Sequence, residues 1–373
     1  MPARVRLHAT VPAPMPSVQS DIPVLLGPPG RRMLVQRDDD AIVAQPLDDT
    51  SLTPSDAVVR FPAPWPRRRG TWAVAPDASL AVFAGVHAVR AVEQSGATRW
   101  EVRHGCWYGA CLEMHRSYDE YADREDHRYP EGGSAGFSAD GKLVWAHIRG
   151  PLPEGELSPD TIDEWLVLDV EDGRVLARAN AEAAAAGSFH LPHPADPQQM
   201  GLSIGEGQHG APLRWGRWDG RDLSVDHFEG DLALLSVSPS GERLMTVTHD
   251  QSALAVHDTR GLVLEDAQWD AETAGDAEPD NDEALPYWDW AGGFLDETTM
   301  IGSTVEGDEE WGEGRHWLID PSGTRELVQI TYPFPVTGPP TALGDGTWFT
   351  PSASRDAVHV WTLETLPEDR PGG

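Results

Sequence analysis

Val237-Ser238-Pro239-Ser240-Gly241-Glu242-Arg243-Leu244-Met245 is an apolar run, a turn and a second apolar run, and the 373-residue chain repeats this layout. Phe137-Ser138-Ala139-Asp140-Gly141-Lys142-Leu143-Val144-Trp145 is one further copy and Val74-Ala75-Pro76-Asp77-Ala78-Ser79-Leu80-Ala81-Val82 another. Pro presets φ, Gly accepts positive φ, and Asp or Ser bonds its own backbone, so the centre of each phrase is a tight turn and its flanks are strands. One hairpin cannot bury its apolar face in water. Stacked copies can, and self-similarity on this scale marks a repeat protein.

The second half of the repeat is easier to count. Strand-like residues 164–170 meet the turn Glu171-Asp172-Gly173-Arg174 and continue as 175–177. The layout recurs at 86–92 with Gln94-Ser95-Gly96, at 213–218 with Asp219-Gly220-Arg221, at 254–257 with Thr259-Arg260-Gly261, and at 317–319 with Pro321-Ser322-Gly323. Weaker copies at 41–44, followed by Leu47-Asp48-Asp49, and at 358–363 bring the count to seven. Period-two alternation argues against a helical solenoid, and only Ala181-Glu182-Ala183-Ala184-Ala185-Ala186 looks helical.

Repeats of about 40–50 residues with four short strands each predict an all-β, seven-bladed β-propeller. The turn Ser238-Pro239-Ser240-Gly241 and the strand pair Val360-Trp361 resemble the WD40-like and related β-propeller repeat families. That resemblance covers most of the chain and implies a fold, not a function. The chain departs from the family pattern in lacking a clear Gly-His plus Trp-Asp pair in any blade, and Trp218-Asp219 falls at a turn. One domain is expected over 1–366, with blades near 20–62, 69–103, 133–180, 187–230, 231–268, 286–332 and 335–366, and a disordered tail at 367–373. The last copy lacks an outer strand, and residues 4–8 are expected to supply it, closing the ring without a free seam.

With 61 Asp and Glu against 28 Lys and Arg, the formal charge is -33, which excludes a nucleic-acid backbone as partner and favours a basic protein. Lys142 is the sole lysine, a bias expected of an Arg- and Ala-rich bacterial-type genome. No segment is long and apolar enough to span a membrane, and Met1-Pro2-Ala3-Arg4-Val5-Arg6-Leu7-His8 lacks the apolar core of a signal peptide. Two cysteines are too few for a disulfide framework, so a reducing, cytoplasmic setting is expected.

Function is expected in the interruptions of the repeat. The long segments 103–132, 150–163, 266–286 and 306–314 all fall on connections that leave a blade at the same face. Two stretches, 276–283 and 306–313, are acidic. Trp107, Tyr108, Tyr118, Tyr121, Tyr287, Trp288, Trp290 and Trp311, with Asp308, Glu309 and Glu310, are the candidate contacts for a protein partner. The leading expectation is a non-catalytic scaffold using this face. The alternative is a propeller enzyme, a metal-assisted hydrolase or lyase, with a central site where His190, His193, His209, His249 and His257 would converge.

His104, Cys106, Cys111 and His115 are a candidate metal set, since thiolates and imidazoles are zinc ligands; Asp119, Glu120 and His127 lie further on. Asp280, Asp282 and Glu283 are acidic enough to attract calcium but form no complete ligand loop. Gly205-Glu206-Gly207-Gln208-His209-Gly210 matches a dinucleotide fingerprint only as text: a strand, not a helix, follows it.

Overall fold

The computed structural model describes residues 2–48, 50–109, 111, 113–127, 131–150, 152, 163–274, 286–306, 315–321 and 326–364. In the repeated phrase, Ser238 N–H donates to Arg243 O at 2.8 Å and Gly241 N–H to Ser238 O at 2.8 Å. The same two bonds close the turn at Ser138 (to Leu143 O, 3.0 Å, with Gly141 N–H to Ser138 O, 2.9 Å) and at Ala75 (to Leu80 O, 2.9 Å, with Ala78 N–H to Ala75 O, 2.8 Å). The fourth position is left-handed each time, φ +82° at Gly241, +73° at Gly141 and +56° at Ala78, which explains glycine in two copies of three.

The described residues contain strands and short 3-10 turns, with no α-helix. β1 (Ala3–Pro12) precedes a four-stranded sheet of β2 (Val24–Leu26), β3 (Met33–Arg37), β4 (Ala41–Pro46) and β5 (Val59–Pro62). The second sheet is β6 (Gly70–Val74), β7 (Ala81–Gly85), β8 (Ala88–Val92) and β9 (Thr98–Arg103), and the third is β10 (Ser134–Phe137), β11 (Leu143–Arg149), β12 (Asp163–Asp169) and β13 (Val175–Asn180). The fourth holds β14 (Gly187–Pro192), β15 (Gln199–Gly205), β16 (Leu213–Trp218) and β17 (Leu223–His227). The fifth holds β18 (Leu232–Val237), β19 (Arg243–Thr248), β20 (Ala253–Asp258) and β21 (Val263–Asp270). The remaining strands are β22 (Pro286–Phe294), β23 (Met300–Glu306), β24 (Arg315–Ile319), β25 (Leu327–Thr331), β26 (Thr341–Ala342), β27 (Thr347–Pro351) and β28 (Ala357–Leu363). With β1 they form one eight-stranded sheet in the order β22-β23-β24-β25-β1-β28-β27-β26.

Within that sheet β1 runs antiparallel to β28 from Val5↔Leu363 to Pro12↔Ala357, a longer strand than residues 4–8 alone. Its contact with β25 is brief and parallel, Ala3↔Ile330 and Arg4↔Thr331. The sheets pack face on face. Val82, Ala84, Val89 and Ala91 of the second meet Val144, Ala146, Leu166 and Leu168 of the third in one buried cluster. Trp165, Trp215, Trp317 and Trp361 occupy β12, β16, β24 and β28, each third in its run of four, and each indole N–H finds an acceptor. Thr304 Oγ1 and Thr350 Oγ1 accept from Trp317 (2.9 Å) and Trp361 (3.0 Å), so the rings are buried without an orphaned donor.

The alanine run 181–186 is not helical. Its backbone is spent elsewhere: Ala181 N–H reaches Asp163 O at 2.8 Å, Ala185 N–H reaches Asp163 Oδ2 at 2.7 Å, and Arg214 Nε donates to Ala181 O at 3.1 Å. Tertiary partners outbid a propensity of a few tenths of a kcal/mol per residue. Because successive strands run antiparallel within each four-stranded sheet, fourth-to-first and second-to-third connections leave such a sheet at one end. Segments 153–162, 275–285 and 307–314 of those connections, and the tail at 367–373, lie outside the described residues.

Candidate metal centre

The connection from β9 to β10 is stitched to the sheets at its root. His104 N–H donates to His87 O (2.9 Å), Gly105 N–H to Arg149 O (2.9 Å) and Trp107 N–H to Val86 O (3.0 Å), tying it to the second and third sheets. Glycine is required at 105, since a Cβ there would stand 2.4 Å from Gly150 O. Beyond Trp107 the chain loops out and returns through two single-turn 3-10 helices, Tyr118–Glu120 and Glu125–His127.

This return brings Cys106, Cys111, His115 and His127 together, with ligating atoms all within 4.8 Å of one another. Cys106 Sγ lies 3.4 Å from His127 Nε2, Cys111 Sγ lies 3.4 Å from His115 Nε2, and the two Nε2 atoms are 3.2 Å apart. Cys106, His115 and His127 are buried and Cys111 half-buried. The His127 ring is stacked between Tyr108 and Tyr121, with centroids at 4.9 and 5.4 Å. Tyr121 is itself held by a 2.7 Å bond from its hydroxyl oxygen to His87 Nδ1. Burial pushes the Cys106 thiol up to about 12, and burial lowers the His115 imidazole. Two thiols and two imidazoles on one point could hold a metal ion.

Of the residues expected from sequence, Cys106, Cys111 and His115 meet and His104 does not. The His104 ring turns into the core, its Nδ1 2.7 Å from Gly105 O and its edge against Trp107, and burial pushes it down to about 4. His127 stands in the fourth position. Its separation from His115 put it beyond any local ligand spacing; only the loop's return closes the distance.

The aromatic candidates divide. Trp107, Tyr121 and Trp288 are buried, their rings part of the core and the Trp288 indole N–H bonded to Trp269 O at 2.8 Å. Tyr108, Tyr118 and Tyr287 are half-buried, and Trp290 is 46% exposed. Asp308, Glu309, Glu310 and Trp311 lie outside the described residues, as do Asp280, Asp282 and Glu283. The five scattered histidines do not converge. His209 is exposed, His249 lies beside Trp290, His257 is buried against Phe228, and His193 Nδ1 accepts from Asp196 N–H at 2.9 Å.

His190 belongs to a polar chain that sequence reasoning missed. Trp165 Nε1–H donates to His190 Nε2 (2.9 Å), so Nδ1 carries the proton and donates to Ser134 Oγ (2.8 Å). Ser134 Oγ meets Ser188 Oγ (2.8 Å), which meets His147 Nδ1 (2.9 Å), and His147 Nε2 faces Asp163 Oδ2 at 3.7 Å. Burial pushes His147 down to about 3 and Asp163 up to about 6, favouring the neutral form of each. Ser188, His147 and Asp163 are the residue types of a hydrolase triad, but His147 is 0% and Asp163 1% exposed, so no substrate reaches them.

No family model matches this sequence, and no curated protein matches it. Solved structures do. BBS1N, crystallised in complex with ARL6DN, aligns over 98% of this chain and 99% of its own at 11% identity and a TM-score of 0.50. BamB from Moraxella catarrhalis aligns over 96% and 99% at 11% identity (TM-score 0.44), and the β-propeller domain of the Trilobed protease from Pyrococcus furiosus over 94% and 97% at 9% (TM-score 0.45). At such identities the likeness is one of architecture: by the build of its sheets this chain has a β-propeller fold.

Proposed function

We propose that this chain is a non-catalytic binding platform, a single domain of seven blades whose fourth-to-first and second-to-third connections face a protein partner. In this reading the eight-stranded sheet is two blades, β22–β25 and β26–β28 with β1, joined by the two-residue contact at Ala3 and Arg4. The supporting observation is where apolar surface is left exposed. Of the eight large apolar side chains left exposed among the described residues, Val18 (90%) and Ile22 (40%) lie on the connection from β1 to β2, Phe334 (38%) on that from β25 to β26, and Trp290 (46%) on β22, the strand entered from that face; Val58 (53%) and Leu262 (62%) lie on third-to-fourth connections, and Leu7 and Phe189 on β1 and β14.

The enzyme reading has less to stand on. Cys106, Cys111, His115 and His127 supply four protein donors, the count of a closed site rather than of a catalytic one with an open position. The formal charge of -33 favours a partner with a basic patch, through faster and salt-sensitive association. BBS1N, solved with ARL6DN, is a protein of the same architecture holding a protein partner.

The test compares faces. Immobilised full-length protein is used to capture partners from a lysate of its source, alongside Trp290→Ala/Phe334→Ala and, on third-to-fourth connections, Val58→Asp/Leu262→Asp. Loss of the same captured protein in the first variant with retention in the second supports the platform. Equal loss in both, or no specific capture by the wild type, overturns it.

A further inference from the structure

We infer that Cys106, Cys111, His115 and His127 hold one zinc ion tetrahedrally, and that this ion is the clamp that orders the connection from β9 to β10. The inference stands independently of whether the face binds a protein. Its first support is metric. Zinc bonds of about 2.0–2.1 Å to nitrogen and about 2.3 Å to sulfur imply tetrahedral edges of about 3.3–3.4 Å between nitrogens and about 3.5–3.6 Å between nitrogen and sulfur. The observed separations are 3.2 Å for the two nitrogens and 3.4 Å for the nitrogen–sulfur pairs Cys106–His127 and Cys111–His115, with every pair of ligating atoms inside 4.8 Å.

The second support is proton placement. His127 Nδ1 lies 2.8 Å from Asp126 Oδ1, and His115 Nδ1 faces Glu120 Oε2 at 3.4 Å. The bond to Asp126 keeps the His127 proton on Nδ1; His115 Nδ1 is buried without a hydrogen-bond partner, its nearest acceptor being Glu120 Oε2, and with its proton on that side too the two Nε2 atoms point lone pairs at each other across 3.2 Å. Two facing lone pairs repel unless a cation lies between them. A carboxylate behind each ligating imidazole is the usual outer shell of a zinc histidine. The sulfurs have outer contacts too: Tyr108 N–H points at Cys106 Sγ (3.4 Å) and Glu113 N–H at Cys111 Sγ (3.5 Å).

The third support is need. The connection spans 104–133, and its described residues hold two single turns of 3-10 helix, a length that rarely orders itself. Cys106 sits at its stitched root while Cys111, His115 and His127 ride on the excursion, so one ion ties the free part to the fixed part. Asp126, itself gripped by Arg124 (2.9 Å), is a positioning residue for His127.

Full-length protein expressed with zinc and desalted is expected to carry one equivalent by plasma mass spectrometry. Cys106→Ser and His127→Ala are expected to lose it and His104→Ala to keep it, while Asp126→Asn lowers affinity about 10- to 100-fold in chelator competition. Cobalt in place of zinc is expected to show thiolate charge transfer and the intense visible bands of a tetrahedral site, a wild-type readout that holds even where a ligand variant does not fold. Chelation is expected to open cleavage at Arg116 and Arg124 to trypsin while the far-ultraviolet spectrum is kept. Metal-free wild type without a tetrahedral cobalt spectrum overturns the site. Retention by His127→Ala with loss in His104→Ala overturns the ligand set, and cleavage unchanged by chelation overturns the clamp.

Discussion

Gly241 shows how much a single position of the repeated phrase carries. Its φ of +82° suits glycine, and a Cβ there would stand 2.0 Å from the His193 ring of the neighbouring sheet. Gly241→Ala therefore meets both a backbone penalty and a clash with a side chain whose Nδ1 accepts from Ala195 and Asp196 N–H groups. We expect a loss of about 2–5 kcal/mol in urea unfolding, from about 1–2 for the left-handed alanine and about 1–3 for overpacking. A change under about 0.5 kcal/mol, the scale of an ordinary surface substitution, would show that His193 swings away freely. The turn glycine could be read from sequence because turn chemistry is local. The partner His193 could not, because it comes from another repeat.

At the scale of elements, β1 is the strand with the most to lose. Val5 and Val11 are buried, and β1 covers β28 from Val5 to Pro12. Without it the outer edge of β28 presents unpaired N–H and C=O groups beside buried Trp361. Deleting residues 1–12 is expected to lower the melting temperature and to cause concentration-dependent association in light scattering. A monomer melting at the wild-type temperature would refute β1's structural role. The need for this strand was visible in sequence, as a missing outer strand in the last repeat. The alanine run at 181–186 misled for the converse reason: its propensity is local, while Asp163 and Arg214, which fix its backbone, are not.

At the scale of the whole molecule, buried imidazoles make the fold acid-sensitive. Burial pushes His147 to about 3, His316 to about 4, and His190 well below its ordinary value of 6.5. As pH falls below 6.5 the unfolded chain takes up protons that the folded chain refuses, so stability is full above that value and declines toward the folded values. Each histidine contributes about 1.4 kcal/mol per pH unit across its window. Asp163, pushed up to about 6 by burial, acts oppositely: between about 6 and 3.8 the folded form binds the extra proton and offsets one histidine. Melting at pH 5 is expected well below melting at pH 7.5, and His316→Gln, on β24 and outside the Cys/His cluster, is expected to flatten the slope by about one proton. An unchanged slope in that variant would mean that His316 titrates as a solvated imidazole. The sequence by itself determined the class of fold, the hairpin unit and three of the four clustered ligands, because turn residues, period-two alternation and Cys/His proximity are properties of neighbours along the chain. The tertiary structure alone decided that His127 rather than His104 completes the cluster, that Trp107, Tyr121 and Trp288 are core rather than surface, and that His147 faces Asp163. Those are contacts between residues far apart in sequence, fixed by how loops return and sheets stack, and no local pattern encodes them.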